Sequence, residues 1–394
     1  NILEDLQGND ARVSFIHKNL SRINDYLKAE LGSGIASFHG KPIAIFEEIL
    51  SKHTINKVFV NRDYEPYALQ RDGSIKDLLA KHDIEFESFK DHVIFERDEI
   101  TKSDNSPYLV YTPYMKAWKA KYKEIDIKRL KTEDLFERFL KYSDLPFMSL
   151  ADIGFKESEQ DIQGYNVSPE LIEDYEALRN FPSKPATSRL GPHLRFGTVS
   201  IREIVIQASK EPNAVFLQEL IWREFFIQIL WHFPQTLTRC FKPKYDRIQW
   251  RNDTADFKRW CDGQTGYPLV DAGMRELNET GFMHNRVRMV VASFLCKHLL
   301  IDWRWGEAYF AKKLHDYEMA SNIGNWQWVA GCGVDAAPYF RIFNPTSQAE
   351  RFDKQLEYIK TWVPELNELS YPTPMVDHKF ARSRCLSTYQ AVLN

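Results

Sequence analysis

The chain has 394 residues, 43% hydrophobic and 14% aromatic, enough for two domains with full cores and too apolar for a disordered chain. Its net charge of -3 hides an asymmetry: residues 181–394 hold 27 Lys+Arg against 22 Asp+Glu, an excess of +5, whereas residues 1–180 hold 25 against 33, or -8. A polyanion partner is therefore expected on the second part, although solvated surface charge would give the same count.

No run of about 18 apolar residues occurs, and the opening NILEDLQGND lacks the basic start and apolar stretch of a signal peptide. A protein of the cytoplasm or nucleus, without a membrane span, is expected. The five cysteines, Cys240, Cys261, Cys296, Cys332 and Cys385, are odd in number, scattered and free of CxxC spacing. They support neither a disulfide framework nor a zinc site.

From residue 11 to about 98 the pattern alternates. A helical stretch (ARVSFIHKNLSRINDYLKAEL) is followed by a short apolar run (GIASFHG), a helix (PIAIFEEILSKH), a β-branched strand (NKVFVNRD), a helix (GSIKDLLAKHD) and then EFESFKDHVIFE. Such alternation predicts a parallel, Rossmann-like sheet with crossover helices over residues 1–100. Because the chain opens at a helix, a first strand, helix and second strand are expected to be missing from this α/β domain. Residues 101–165 turn polar and irregular (TKSDNSPYLVYTP, KESEQDIQGYNVSPE) and suit a connection between domains. Beyond them, helical periods dominate 166–394, which predicts a large all-α domain.

Within that part three stretches carry chemistry. In YEALRNFPSKPATSRLGPHLRFGTVS, Thr187, Ser188 and Gly191 form a hydroxyl-bearing turn before a helix, which suits either a phosphate site or a simple helix cap. In FLQELIWREFF, Glu219, Trp222, Arg223 and Phe226 stand at i, i+3, i+4 and i+7 on one helix face. That face is a poor core surface and suits the floor under a flat polar ligand. In GFMHNRVRMVVASFLCKHLL, Asn285 and Met289 point nearly together with Arg286 and Arg288 on either side, while Val287, Val291 and Phe294 point to a core. A solvated helix face would show the same two arginines; the central amide and thioether favour a ligand. Finally, eight of the ten tryptophans lie between 222 and 328, two of them with Asp316, Glu318 and Asn322 in HDYEMASNIGNWQWVAG, a density that core packing alone seldom requires.

Five ordered stretches, TSRLGPHLRFG, LIWREFF, TGYPLVDAGMRELNETGFMHNRVRMVVASFL, LLIDWRWGEAYF and NWQWVAGCGVDAAPYFRIFNPTSQAERFD, resemble the photolyase and cryptochrome flavoproteins. The resemblance covers essentially the whole chain and is greatest to the class I DNA photolyases that repair cyclobutane pyrimidine dimers. It implies an FAD held in the helical domain, UV-damaged DNA as the partner, a monomer, and a second antenna chromophore, a folate or a deazaflavin, that the sequence does not choose. Location is then cytoplasmic, on the nucleoid through DNA, or nuclear in a eukaryote.

Carried over residue by residue, the resemblance implies that Tyr175, Thr187, Ser188 and Leu190 hold the FAD phosphates, with Arg179 in the same stretch. Gly191 stands where the family commonly has Ser, and Phe282 where Trp is more common. Asn322 matches the residue facing flavin N5, Arg288 and Asp316 a charged pair beside the ring, and Glu318 replaces a usual Asp. Trp326, Trp303 and Trp250 match an electron-transfer chain. Trp222 and Trp328 match the pair that grips the flipped dimer, with Arg223 counted on the DNA side. Glu219 is implied to hydrogen-bond the pyrimidine carbonyls, Asn285 and Met289 to contact the dimer, and Arg286 to engage phosphate; Glu219 and Asn285 are also counted as cofactor contacts. Repair of the (6-4) photoproduct is disfavoured by Asn285, where those enzymes carry a histidine. A cryptochrome photoreceptor is disfavoured by Asn322 and by the short tail after VDHKFARSR.

Overall fold

The computed structural model of the chain describes residues 6–127, 132–142 and 144–393. The chain divides into two compact units, the first made of Asn1–Ile94, Asp126–Gln163 and Phe196–Ile204, the second of Phe95–Ile125, Gly164–Arg195 and Val205–Asn394.

In the first unit, α1 (Ala11–Leu31) starts where the Asp10 side chain accepts the Arg12 N–H at 2.9 Å and ends at Gly32, whose φ of 58° suits glycine. Helix α2 (Pro42–Lys52) opens on a proline whose missing N–H costs nothing there. Strand β1 (Lys57–Asn61), helix α3 (Pro66–Ala80) and strand β2 (Glu85–Phe89) form one βαβ unit, parallel, with Lys57 opposite Glu85 and Asn61 opposite Phe89. The expected α/β pattern is present with these two strands. GIASFHG forms no strand; instead the Ile35 N–H goes to the buried Asn24 side chain at 2.9 Å and the Ser37 N–H to the Pro146 carbonyl at 2.7 Å.

The rest is helical: α4 (Tyr111–Tyr122), α5 (Pro169–Leu178), α6 (Gly191–Phe196), α7 (Ile201–Lys210), α8 (Ala214–His232), α9 (Thr254–Cys261), α10 (Pro268–Thr280), α11 (Asn285–Ser293), α12 (Trp303–Lys313), α13 (Met319–Ala330), α14 (Pro345–Phe352), α15 (Glu357–Trp362) and α16 (His378–Leu393). Helix α4 lies in the stretch read as irregular connection. Its Tyr111, Tyr114 and Trp118 recur at i, i+3 and i+7 and are all buried, a helical period that the surrounding polar residues obscure.

Helix α8 is apolar nearly all round and correspondingly buried, from Phe216 to Leu230, except on the face of Glu219, Trp222 and Arg223. Helices α10 to α13 enclose the main core, in which Val287, Val291 and Phe294 are fully buried as their spacing predicts. Two glycines let these helices approach closely. A Cβ at Gly306 of α12 would fall 2.1 Å from the Trp326 ring, and one at Gly324 of α13 would fall 2.2 Å from the Phe226 ring. Among the described residues no helix is long and apolar enough to cross a membrane, and no group of three or more His, Cys, Asp or Glu residues could hold a metal ion.

Two buried histidines make this unit sensitive to acid. Burial beside Arg288, Arg286 and Arg189 pushes His284 down to about 4, and burial beside His378 and Arg384 pushes His298 down to about 3, from an ordinary 6.5. As pH falls below about 6.5 these two histidines take up protons in the unfolded chain but not in the folded one, so their contribution lowers stability. Buried Asp271, Glu276 and Glu307, raised by desolvation, act in the opposite sense. The contribution of His298 can be isolated: between about pH 7 and about pH 4.5, urea denaturation of His298→Asn should show roughly 2 kcal/mol less loss of stability than the parent. Equal losses would mean that His298 takes up its proton in the folded protein.

Candidate functional site

A cavity of about 430 Å³ opens among α6, α8, α11, α12 and α13 in the helical unit. Glu219, Trp222, Arg223 and Phe226 form its α8 wall, as their shared face predicts. From α11 come Asn285, Arg288 and Met289; from α13 and the turn before it come Asp316, Glu318, Asn322, Trp326 and Trp328. Thus these twelve residues, all singled out in the sequence, surround one space, with Arg179 and Gly191 also at its lining. Tyr175, Thr187, Ser188, Leu190, Arg286, Trp250 and Trp303 lie outside its lining.

The cavity is organised by ion pairs. Arg288 of α11 makes two bonds to Asp316, at 3.1 and 2.8 Å, and a third to the Met283 carbonyl at 2.7 Å. A fork of this kind fixes both groups in position, which a lysine could not do. Arg223 pairs with Glu318 at 2.8 Å, and Ser321 also donates to Glu318, so the longer acid that replaces Asp is firmly held. Glu219 pairs with Arg179, whose guanidinium also lies 5.4 Å from the centre of the Tyr175 ring.

Asn322 is oriented by a residue that sequence reading missed. Its amide nitrogen donates to Glu307 Oε1 at 2.9 Å and to the Glu307 carbonyl at 3.2 Å, which leaves Oδ1 as the group available to the cavity. Burial raises the Glu307 carboxyl above its ordinary range. In sequence Glu307 is one acid among many, fifteen residues from its partner, and nothing local marks it.

The hydroxyl turn has a geometric explanation for its glycine. Gly191 sits against Asp316 so closely that a Cβ there would lie 2.6 Å from the Asp316 Cβ. A serine at this position would displace the acid that pairs with Arg288. Just before it, Arg189 takes a φ of 53° and lays its guanidinium 4.0 Å from the centre of the Phe282 ring, and the Ser188 hydroxyl accepts the Leu190 N–H at 3.4 Å. Arg286 turns away from Arg288, donating to Asn180 at 2.6 Å with its guanidinium 4.4 Å from the Phe352 ring centre.

Trp326 is buried against the bare backbone at Gly306, one helical turn from buried Trp303 on α12. Trp250 is only partly buried and meets Tyr389 edge-on at 6.1 Å. Trp260, not singled out from the sequence, is fully buried and meets Trp326 edge-on at 6.3 Å, with its N–H donated to the Val291 carbonyl at 3.2 Å.

A cavity of this volume, apolar on its walls and lined by a few fixed polar groups, has the character of a cofactor site. FAD fits the residues present: Ala292, Phe310, Leu314 and Val329 offer flat apolar contact, while Arg288, Glu318 and the free Asn322 oxygen offer partners for a polar ring edge.

Comparison with known proteins agrees. Residues 216–370 match the family model described as the FAD binding domain of DNA photolyase, and residues 3–133 match that of DNA photolyase. The chain is 35% identical to the deoxyribodipyrimidine photo-lyase of Halobacterium salinarum over 96% of its own length and 88% of that protein, and 36% identical to that of Escherichia coli over 89% and 81%. Among solved structures, it resembles a class III photolyase from Agrobacterium tumefaciens with a TM-score of 0.84 and 33% identity, covering 98% of this chain and 89% of that one. A photolyase from Sulfolobus tokodaii solved with two FAD molecules gives a TM-score of 0.81 and 31% identity, covering 99% and 91%. With identities and coverages of this size along the whole length, the chain belongs to the DNA photolyase family.

Proposed function

We propose that the protein is a deoxyribodipyrimidine photo-lyase that uses FAD and blue light to split cyclobutane pyrimidine dimers in DNA. The observation that carries this reading is one cavity that joins Arg288, Asp316 and Asn322 to Glu219, Trp222, Met289 and Trp328. FAD, held by these residues and reduced, would supply light-driven one-electron chemistry with no net redox change.

The chain's own residues then have distinct tasks. Arg288 sets a fixed cation beside the flavin ring and favours its anionic form, with Asp316 holding the guanidinium in place. Asn322, its amide oriented by Glu307, would offer an acceptor oxygen to the flavin ring. Tyr175, Thr187, Ser188 and Leu190 serve the phosphates. Trp222 and Trp328 grip the dimer after it leaves the duplex, a step eased by the weak stacking and pairing of damaged bases. Glu219 accepts or shares a hydrogen bond with the pyrimidine edge, Asn285 and Met289 touch the dimer, Arg223 lies on the DNA side, and Arg286 engages a phosphate. Trp326, Trp303 and Trp250 carry electrons in from the surface. DNA affinity should fall steeply with salt and depend little on sequence.

The same reading takes residues 1–100 as the antenna-side domain, 101–165 as the connection and 166–394 as the FAD- and DNA-binding domain. It includes a second chromophore of unassigned identity, a monomer, and work wherever the DNA lies, in the cytoplasm or a nucleus.

The test follows thymine ultraviolet absorbance in a thymine-dimer oligonucleotide mixed with the purified, reduced protein, under blue light and in the dark. Light-dependent recovery is expected. Bound, fully reduced FAD without recovery would sink the reading, and (6-4) repair and then light signalling would be tested next.

A further inference from the structure

The Trp222 indole does not stand alone on its helix. Tyr111, which begins α4 more than a hundred residues earlier in the chain, lies flat against it: the ring centres are 3.6 Å apart and the planes differ by 8°. Three other contacts fix the tyrosine. Its N–H donates to Asp335 Oδ2 at 3.0 Å, its hydroxyl donates to the Gln218 carbonyl at 2.7 Å, and its ring meets buried Phe225 at 73° and 5.9 Å. Tyr111 is 6% exposed, whereas Trp222 remains partly open and lines the cavity.

An indole joined to its helix by two rotatable bonds can tilt. One whose face is pressed on a tyrosine that is itself bonded at both ends cannot. Burial also keeps the Tyr111 phenol neutral, holding its pKa well above the ordinary tyrosine value.

We infer that Tyr111 is a positioning residue for lesion recognition: by stacking on Trp222 it presets the plane on which a flipped, flat-edged pyrimidine dimer rests. The inference rests on the proposed function, since it assigns Trp222 to the dimer. Preorganisation of this kind lowers the ordering cost of binding and acts on affinity for the lesion, not on chemistry after binding. Affinity for undamaged DNA, which depends on phosphate contacts, is left unchanged.

The test uses the FAD-loaded protein and measures Kd for an oligonucleotide with one thymine dimer, Kd for its undamaged counterpart, and the repair yield per absorbed photon at saturating substrate. Tyr111→Leu should weaken dimer binding roughly 3- to 10-fold, with the undamaged Kd and the yield unchanged. Tyr111→Phe keeps the ring but loses the hydroxyl bond to the Gln218 carbonyl, and should lie between the parent and Tyr111→Leu. In a Trp222→Ala background, Tyr111→Leu should have no further effect on dimer binding, because the tyrosine acts through the indole. Tyr111→Met offers similar volume without a flat ring and gives the same readout should the leucine variant not fold. Equal weakening with and without Trp222, or a Tyr111→Leu protein that binds dimer like the parent, overturns the inference. A parent protein that binds both oligonucleotides alike overturns the functional reading, and the assignment of Tyr111 falls with it.

Discussion

Arg288→Ala is expected to bind FAD roughly 100-fold more weakly than the parent, and to hold what it binds at a lower reduction potential. The Asp316 side chain is only 17% exposed and loses both bonds of its forked partner. Removing one member of a buried pair leaves the other charge uncompensated, at a cost of about 3–5 kcal/mol when burial is complete and somewhat less here. The stranded carboxylate also sets a negative charge where the reduced, anionic ring would bind. Asp316→Asn should therefore shift the potential the opposite way, upwards, by freeing the cation. Arg288→Lys keeps the charge without the fork and should lie between parent and alanine variant. Titration of the apo proteins with FAD, together with a flavin potential measured in each variant, checks all three. An Arg288→Ala protein that retains flavin with the parent's affinity and potential would remove Arg288 from the flavin site.

The second large effect is at Glu219. Glu219→Ala should lower affinity for dimer-containing DNA roughly 10- to 100-fold, the loss of one hydrogen bond to a charged group, about 1.5–3 kcal/mol. The repair yield at saturating substrate should fall as well if, as proposed, the same side chain orients the pyrimidine edge for electron transfer. Arg179 complicates the resting state: it is bound to Glu219 in the free protein, so the lesion must share that carboxylate or displace the guanidinium. Arg179→Gln thus separates the two roles. It removes the competitor while leaving Glu219, and should weaken dimer binding far less than Glu219→Ala does. If the two variants weaken it equally, the ion pair, and not the carboxylate, is the recognition element.

Much of the site was readable because helices expose their pattern locally. The spacing of Glu219, Trp222, Arg223 and Phe226 places them on one face, and all four line the cavity. Asn285, Arg288 and Met289 follow from the same arithmetic on α11, and buried Val287, Val291 and Phe294 mark its other side. Roles finer than placement came from the resemblance, since spacing does not say what a ligand is.

Other features were not readable, each for a physical reason. Helix α4 is obscured because it begins inside the polar, proline-containing stretch TKSDNSPYLVYTP, so Tyr111 reads as part of the connection. Glu307 and Trp260 act on Asn322 and Trp326 from other helices, at separations that no local pattern encodes. The glycine at 191 looked like a lost hydroxyl, and the close approach of Asp316 gives it a positive reason.

By itself the sequence determined the alternation of the α/β unit, the helices after it, and which side chains share each helix face, because helix and strand periods are properties of neighbouring residues. The tertiary structure decided which faces meet: α8, α11 and α13 around one cavity, Tyr111 beneath Trp222, Asp316 against Gly191, Glu307 behind Asn322. Those pairings follow from close packing between helices, where the shape and volume of every contacting side chain act at once, and no single segment contains that information.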